Sequence, residues 1–200
     1  MRTYHGISIH DDECESLLDL EKKIGKPIPF FPNAAHWIYF GFTIHGKHVT
    51  RLGLFNQQLN TLTGSFYRLT KLIDLNLRMN TLKVLPESFG DLTTLRRLDL
   101  CSNELTRLPE SLGNLSSLKS LSLAGNNLTA LPESIGRLKQ LKGLELYANE
   151  LTSLPKTLLN MKSLKYLSID EKLEDDPVSV ELYFRKVQIE TDPYDWDYLK

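Results

Sequence analysis

The 200-residue chain has only two cysteines, Cys14 and Cys101, which lie 87 positions apart. Closely spaced cysteines are typical of secreted disulfide scaffolds and of zinc sites, and no such cluster is present. This scarcity favours a reducing compartment, and we predict a cytoplasmic location.

Long apolar runs are missing as well. No stretch approaches the roughly 20 apolar residues that a membrane-spanning helix needs. The first 20 residues carry one arginine, an early acidic cluster and no apolar segment, so we expect no secretory signal there. The chain is 41% hydrophobic and 24% charged, as is usual for a globular domain.

Motifs for catalysis are absent from the sequence, which has no Gly-rich phosphate loop, no nucleophile elbow and no paired-carboxylate pattern outside the solvated charge runs. The spacing of His45 and His48 suggests a metal site, but no third ligand accompanies them. They flank an expected tight turn, so a structural or solvated role is the better interpretation. We predict no enzymatic activity, with no catalytic, cofactor-binding or metal-binding residues.

Leucine, in contrast, is abundant and regularly spaced. From residue 49 a 23-residue pattern repeats, L-x-x-L-x-L-x-x-N-x-L-x-x-L-P-x-S-x-G-x-L-x-x, with starts at 49, 72, 95, 118, 141 and 164. A fixed period of this length marks a stacked array whose units bury their apolar faces against one another. Positions 1, 4, 6, 11, 14, 18 and 21 are apolar in all five complete copies and predict the core.

Other columns of the pattern predict turns and internal hydrogen bonds. Position 9 is an amide column, which we expect to bond the backbone of its own turn and the next; a ligand-binding row is the weaker alternative. Proline after position 14 ends strand pairing, and the later serine and glycine suit a short turn on the outer side. The amides are Gln57, Asn80, Asn103, Asn126 and Asn149.

These residues resemble the signature of leucine-rich repeats over about residues 49–170. The L-P-E-S-x-G-x-L form is most similar to the intracellular repeats of Ras-pathway scaffolds and of plant and microbial proteins. The resemblance implies an α/β fold: a right-handed solenoid with a parallel β-sheet on its concave side and irregular or short helical segments on its convex side.

Residues 1–48 are predicted to form an N-terminal cap. Asp12 and Glu15 resemble a capping box, and the apolar spacing after them predicts a helix over about 12–24. Apolar residues at alternate positions from 38 to 44 predict a hairpin strand over about 37–44. We expect these elements to close the N-terminal end of the core.

Residues 171–200 are predicted to form an acidic C-terminal cap and tail. Asp176 and Pro177 suit a helix start, and the inward stripe is expected at Val180, Tyr183, Phe184 and Val187. A strand within 178–189 is the alternative. The final DPYDWDYLK segment is expected to dock on the array, with partner binding or mobility as alternatives.

Charge is unevenly distributed along the chain. The net charge is −1 for residues 1–48, +5 for 49–170 and −5 for 171–200. Two solvated surfaces explain this distribution. A nucleic-acid site would need a denser basic stripe with stacking aromatics, so we predict no nucleic-acid partner.

Pleat geometry places positions 3 and 5 of each repeat on the concave sheet surface, with 7 and 8 along its edge. Aromatic and arginine side chains gather at the two ends of this surface, and its middle is small and polar. Solvated residues and cross-strand pairs, such as Arg97 with Asp74 or Asp99, are the alternative. The predicted partner-binding residues are Phe55, Arg78, Met79, Arg97, Asp99, Ser120, Ser122, Glu145, Tyr147 and Tyr166.

We therefore predict a non-catalytic protein-protein interaction module or adaptor, monomeric and without a cofactor, that binds a protein partner on its concave face. The first alternative is a regulator or effector of a signalling protein, such as a small GTPase or a ubiquitin-pathway component. The second is a surface or secreted recognition protein. Fold resemblance alone does not select a partner.

Overall fold

The computed structural model describes residues 3–32 and 38–190. One sheet of eight strands dominates it, and a two-stranded hairpin precedes the first helix. In chain order the elements are β1 (Thr3–Tyr4), β2 (Ile7–Ser8), α1 (Asp11–Ile24), β3 (Phe40–His45), β4 (His48–Leu54), β5 (Asp74–Asn76), β6 (Arg97–Asp99), β7 (Ser120–Ser122), β8 (Gly143–Glu145), β9 (Tyr166–Ser168), α2 (Pro177–Phe184) and β10 (Gln188–Glu190).

The strands follow chain order across the large sheet, from β3 at one edge to β10 at the other. Only the β3–β4 pair is antiparallel; every pair from β4 to β10 is parallel. From β4 to β9, residues 23 positions apart lie opposite each other, as Leu98 does to Leu75 and Leu121. A constant period therefore produces a constant register, and this confirms the predicted parallel array.

The core is the predicted set of apolar columns. All 35 positions are buried except Leu62, which is half-buried and packs against the others. Short 3-10 helices on the side opposite the strands return the chain from each strand to the next; we call them the convex turns. They are Gly64–Arg68, Glu87–Asp91, Glu110–Asn114, Glu133–Arg137 and Lys156–Asn160.

The asparagine column ties neighbouring repeats together. Asn126 Nδ2 donates to the Leu123 carbonyl in its own turn at 2.9 Å and to the Leu100 carbonyl at 3.0 Å. Its Oδ1 accepts from the Leu105 amide at 3.0 Å. Asn80, Asn103 and Asn149 repeat these bonds, which confirms their structural role.

The glycine at the fourth position of the three middle convex turns is needed for close stacking, which the sequence did not reveal. Gly90, Gly113 and Gly136 have no positive φ, so left-handed turn geometry does not explain them. A Cβ added to Gly90 would lie 2.5 Å from the carbonyl oxygen of Ser111 in the next convex turn. Adjacent repeats therefore approach each other too closely for any side chain at this position.

The N-terminal cap differs in detail from its prediction. Helix α1 begins one residue earlier, and its N-cap is His10 without a side-chain hydrogen bond, so the capping box was wrong. The helix stops at Gly25, whose φ of 78° is left-handed, as glycine permits. Buried Glu13 accepts hydrogen bonds from Val49 N at 2.7 Å and His48 Nδ1 at 2.9 Å, which fastens α1 to β4.

Strand β3 begins at Phe40, and part of the predicted 37–44 strand falls on residue 37, outside the described residues. Its pairing with β4 forms the expected hairpin, with a register shift between Thr43 and Ile44. Phe42 is fully buried, so the period-two alternation does direct apolar side chains into the core.

At the C-terminal end the predicted inward stripe was wrong. Helix α2 starts as expected, because the Asp176 carboxylate accepts from the Val178 amide at 2.9 Å. However, Val178 and Leu182 are its buried apolar residues, whereas Val180, Tyr183 and Phe184 are exposed. The physical reason is that α2 packs against the last convex turn and β10, and that Val178 and Leu182, four residues apart on one side of the helix, form the buried face. Only Val187, in that return, is buried as predicted.

The repeat pattern decays at the last strand, and other side chains take over its bonds. Lys172 stands where the next asparagine would be, and its Nζ donates to the Asn149 carbonyl at 3.1 Å. The predicted docking of the DPYDWDYLK segment concerns residues outside the described part of the chain. Within that part, no helix has both the length and the apolar character required to cross a bilayer.

Candidate functional site

The concave face is the side of the large sheet opposite the leucine core, formed by repeat positions 3, 5 and 7. Parallel register brings the side chains of each column next to one another across β4 to β9. All ten predicted partner-binding residues lie on these strands or directly after them. The structure therefore assembles them on one surface, and their role in binding stays a prediction.

An ion-pair triad occupies the N-terminal part of this face. Asp74 is buried between two arginines: Arg97 binds it through Nε at 2.8 Å and Nη2 at 2.6 Å, and Arg51 Nε lies 3.0 Å from its Oδ2. The bidentate hydrogen bond to Asp74 raises the pKa of Arg97 above its usual value. Arg97 thus forms the cross-strand pair that was considered as an alternative to partner binding.

An aromatic contact borders the triad. The Tyr39 and Phe55 rings meet edge to face with centroids 5.4 Å apart, and Phe55 is half-buried as a result. Tyr39 is 62% exposed and Met79 45% exposed, so both present apolar surface. Sequence reasoning missed Tyr39, although its place one residue before β3 beside a predicted contact residue was a usable signal.

Two carboxylates lie at the centre of the concave face, in register with the serine between them. Asp99 is opposite Ser122, and Ser122 is opposite Glu145. Asp99 is only 5% exposed, and its Oδ1 accepts from the Cys101 amide at 2.9 Å. Part of the role of Asp99 is therefore to hold the turn after β6.

Burial changes the acidity of both groups. Loss of hydration raises the pKa of Asp99 to about 6, although the Cys101 amide and the charge of Arg78 oppose the shift. Burial likewise raises the pKa of Glu145 to about 7, with repulsion from Asp99 adding to it. Neither carboxylate forms an ion pair with any described residue.

Tyrosines border Glu145 at the C-terminal end. The Tyr166 hydroxyl bonds Glu190 Oε2 at 3.2 Å, and burial together with that carboxylate raises the pKa of Tyr166. Its ring lies beside Gly143, with Cδ1 3.9 Å from the place a Cβ would take. Tyr147 is half-buried, and its hydroxyl has no hydrogen-bond partner within the described ranges.

Glu190 was missed by the sequence analysis, because its place next to Tyr166 depends on the pairing of β10 with β9. Arg51 and Asp74 were visible in column 3 but were not proposed as site residues. Ser120 and Gly143, both half-buried, form the small middle expected for this face.

The histidines belong to the N-terminal cap. His48 bonds Glu13, and its ring stacks on His10 with centroids 5.6 Å apart. Across residues 3–32 and 38–190, no group of three or more His, Cys, Asp or Glu side chains is arranged to hold a metal ion. The geometry therefore gives His48 a structural role in the cap.

Comparison with known proteins agrees with this architecture. One family model, "Leucine rich repeat", matches residues 47–105, and another, "Leucine-rich repeat region", matches residues 87–182. No curated protein sequence matches the chain.

Two solved structures are similar. A chain of the TLR13–ssRNA13 complex is 30% identical with a TM-score of 0.53; the match covers 62% of this chain and 18% of that one. A leucine-rich repeat protein of Leptospira interrogans is 24% identical with a TM-score of 0.53, over 92% of this chain and 52% of that one. This chain thus spans about half or less of either neighbour.

The repeat pattern, the parallel sheet in constant register and both family matches lead to one conclusion. The chain belongs to the leucine-rich repeat proteins.

Proposed function

We propose that this leucine-rich repeat chain is a non-catalytic adaptor that binds a protein partner on its concave face. Leucine-rich repeat domains are generally non-catalytic and mediate protein–protein interaction, and this supports the proposal. Both cysteines are buried and they do not form a disulfide with each other, which supports a reducing, cytoplasmic setting for the proposed monomer.

The observation that carries the proposal is the half-buried pair of Tyr147 and Glu145. Tyr147 extends the strand that carries Glu145, and neither side chain completes the core or the asparagine ladder. Tyrosine anchors interfaces efficiently because it buries a large area and loses little conformational entropy. The Tyr39–Phe55 pair offers a second apolar anchor at the other end of the face.

Capture from cell extract tests this proposal. A Phe55→Ala/Tyr147→Ala variant is expected to lose roughly 90% or more of the captured partner, since two interface anchors at about 2 kcal/mol each exceed a tenfold loss of affinity. Arg97 is left unchanged because its loss would break the triad with Asp74.

The matched control is Arg137→Ala/Gln140→Ala, whose exposed side chains lie in or beside a convex turn. Both variants must keep the unfolding midpoint of the wild type. Equal capture by all three proteins, or loss only in the convex variant, would exclude the concave face as the binding surface.

The identity of the captured protein separates the adaptor from the alternatives. A small GTPase or ubiquitin-pathway protein whose activity changes on binding would favour the regulator, and an extracellular ligand the recognition protein. Because one similar structure is a complex of TLR13 with ssRNA, single-stranded RNA is included as a competitor. We expect no competition, because the central carboxylates repel phosphate.

A further inference from the structure

We propose that the concave face binds one basic side chain, arginine or lysine, of its protein partner between Asp99 and Glu145, over Ser122. This inference rests on the proposed function and names the chemistry that the partner presents. It follows from geometry at the centre of the sheet.

The first step is the arrangement of polar groups. Parallel register places Asp99, Ser122 and Glu145 in one row on neighbouring strands, with all three side chains on the same face. Ser122 is 3% exposed, and its hydroxyl has no partner at hydrogen-bonding geometry. It is close enough to Glu145 to lower the pKa of that carboxyl without forming a well-aligned bond.

The second step concerns charge. Arg51 and Arg97 bind Asp74, whereas Asp99 and Glu145 form no ion pair within the described residues and are attracted by Arg78 without direct contact. Buried carboxylates are costly unless a cation or hydrogen bonds compensate them. A partner's ammonium or guanidinium would supply both, with half-buried Glu145 as the more accessible contact and Asp99, two strands away, as the more buried one.

The third step concerns shape and the choice of a side chain over a metal ion. Tyr147 and Tyr166 lie next to Glu145 and can hold the aliphatic stem or the planar guanidinium of a basic residue. A divalent ion would need more ligands than two carboxylates and one hydroxyl.

Cation binding at this site depends on pH. It requires ionised Glu145, whose pKa near 7 reflects burial and repulsion from Asp99, with Arg78 opposing the shift. Cys101 and Tyr166, the other titratable groups coupled to Glu145, have raised pKa values and stay neutral at neutral pH. Affinity should therefore fall as pH drops from about 8 to about 5.5, by about tenfold or more.

The experiment is an NMR titration of the full 15N-labelled chain with the peptide acetyl-Gly-Arg-Gly-amide. The neutral peptide acetyl-Gly-Gln-Gly-amide is the matched probe, and acetyl-Gly-Lys-Gly-amide tests the other basic side chain. At about pH 8 we expect saturable shifts confined to amides near Cys101, Ser122 and Tyr147, weaker by about tenfold at about pH 5.5.

Glu145→Gln should abolish these shifts, and Glu133→Gln, an exposed carboxyl in a convex turn, should retain them. The inference is overturned if basic peptides give no localised shifts, if the glutamine peptide gives equal ones, or if Glu145→Gln leaves them intact. Capture of a partner that still requires Tyr147 would then show that the proposed function survives without this contact.

Discussion

Buried polar side chains in the array fall into two kinds, those that are fully hydrogen-bonded and those that lack a compensating partner. Each asparagine of the ladder has its amide bonded to backbone groups on two repeats. Glu145 is largely buried yet lacks an ion pair in the described structure, and its pKa rises to about 7. The first kind of residue stabilises the fold, and the second kind lowers stability at a place where a partner could compensate it.

Asn126→Ala should be strongly destabilising. It leaves the Leu105 amide and the Leu100 and Leu123 carbonyls without their side-chain partner, so we expect a loss of about 2–4 kcal/mol in the free energy of unfolding. Urea denaturation measures this loss. Asn127→Ala, at the exposed neighbouring position, should change stability by less than about 0.5 kcal/mol; similar losses in both variants would contradict the role of the ladder.

Glu145→Gln should stabilise the chain at alkaline pH. Folded Glu145 holds its proton up to about pH 7, whereas the unfolded carboxyl releases it near 4.5. Between these values the folded state binds more protons, so wild-type stability from this group falls as pH rises. After allowance for partial exposure, we expect the variant to be about 1–2 kcal/mol more stable at about pH 8.

Below about pH 4.5 the Glu145 carboxyl is protonated in both the folded and the unfolded state, so the wild type and Glu145→Gln should become equally stable. Urea unfolding across the pH range gives the comparison. A stability difference that does not vary with pH would show that Glu145 titrates normally.

Among the elements, the convex turns show how stacking selects residues. Glycine is required where the carbonyl of the next turn approaches, as at Gly90. In the last convex turn the corresponding residue is Leu159, and no further repeat stacks on it; Arg185 from the end of α2 instead donates to its carbonyl at 2.6 Å. The glycine is therefore lost at the repeat where stacking ends.

Gly90→Ala should destabilise the array by about 1–3 kcal/mol, because the new methyl group would overlap backbone atoms of Ser111 that cannot easily move. Thermal unfolding followed by circular dichroism would show the loss. Gly64→Ala is the matched control, since a Cβ there meets no atom within 4 Å. If both variants unfolded at the same temperature, close stacking would not explain the glycine column.

On the scale of the whole molecule, the stability of each repeat depends on its contacts with the neighbouring repeats. Each repeat from β5 to β8 contacts only the units beside it, and the ends are covered by α1 and α2 with different side chains. In such a linear arrangement the effect of a mutation depends on its place along the stack.

We expect Leu121→Ala and Leu182→Ala to differ in how many strands lose protection from hydrogen exchange. Each removes a fully buried leucine side chain, at about 2–5 kcal/mol. Hydrogen exchange should accelerate through the central strands in Leu121→Ala. In Leu182→Ala it should accelerate mainly in β9 and β10 and leave β5 protected. Identical exchange patterns would indicate one cooperative unit without end effects.

Prediction succeeded where one repeat sufficed to define the environment of a residue. Leu98 and Asn103 have the same neighbours in every copy, so their burial and bonding could be inferred from the columns. It failed at α2 and left Arg97 undecided, because these depend on how non-equivalent segments meet. The sequence predicted that the candidate residues share one surface, but it did not predict which of them form ion pairs with each other.

By itself the sequence determined the spacing, register and inward columns of the array, because a constant 23-residue period places equivalent residues opposite one another. Only the tertiary structure decided which concave residues are already paired and which are not. Asp74 lies between two arginines, while Glu145 lies between neutral side chains near a second carboxylate. These environments arise from side chains on different strands, whose contacts depend on three-dimensional packing.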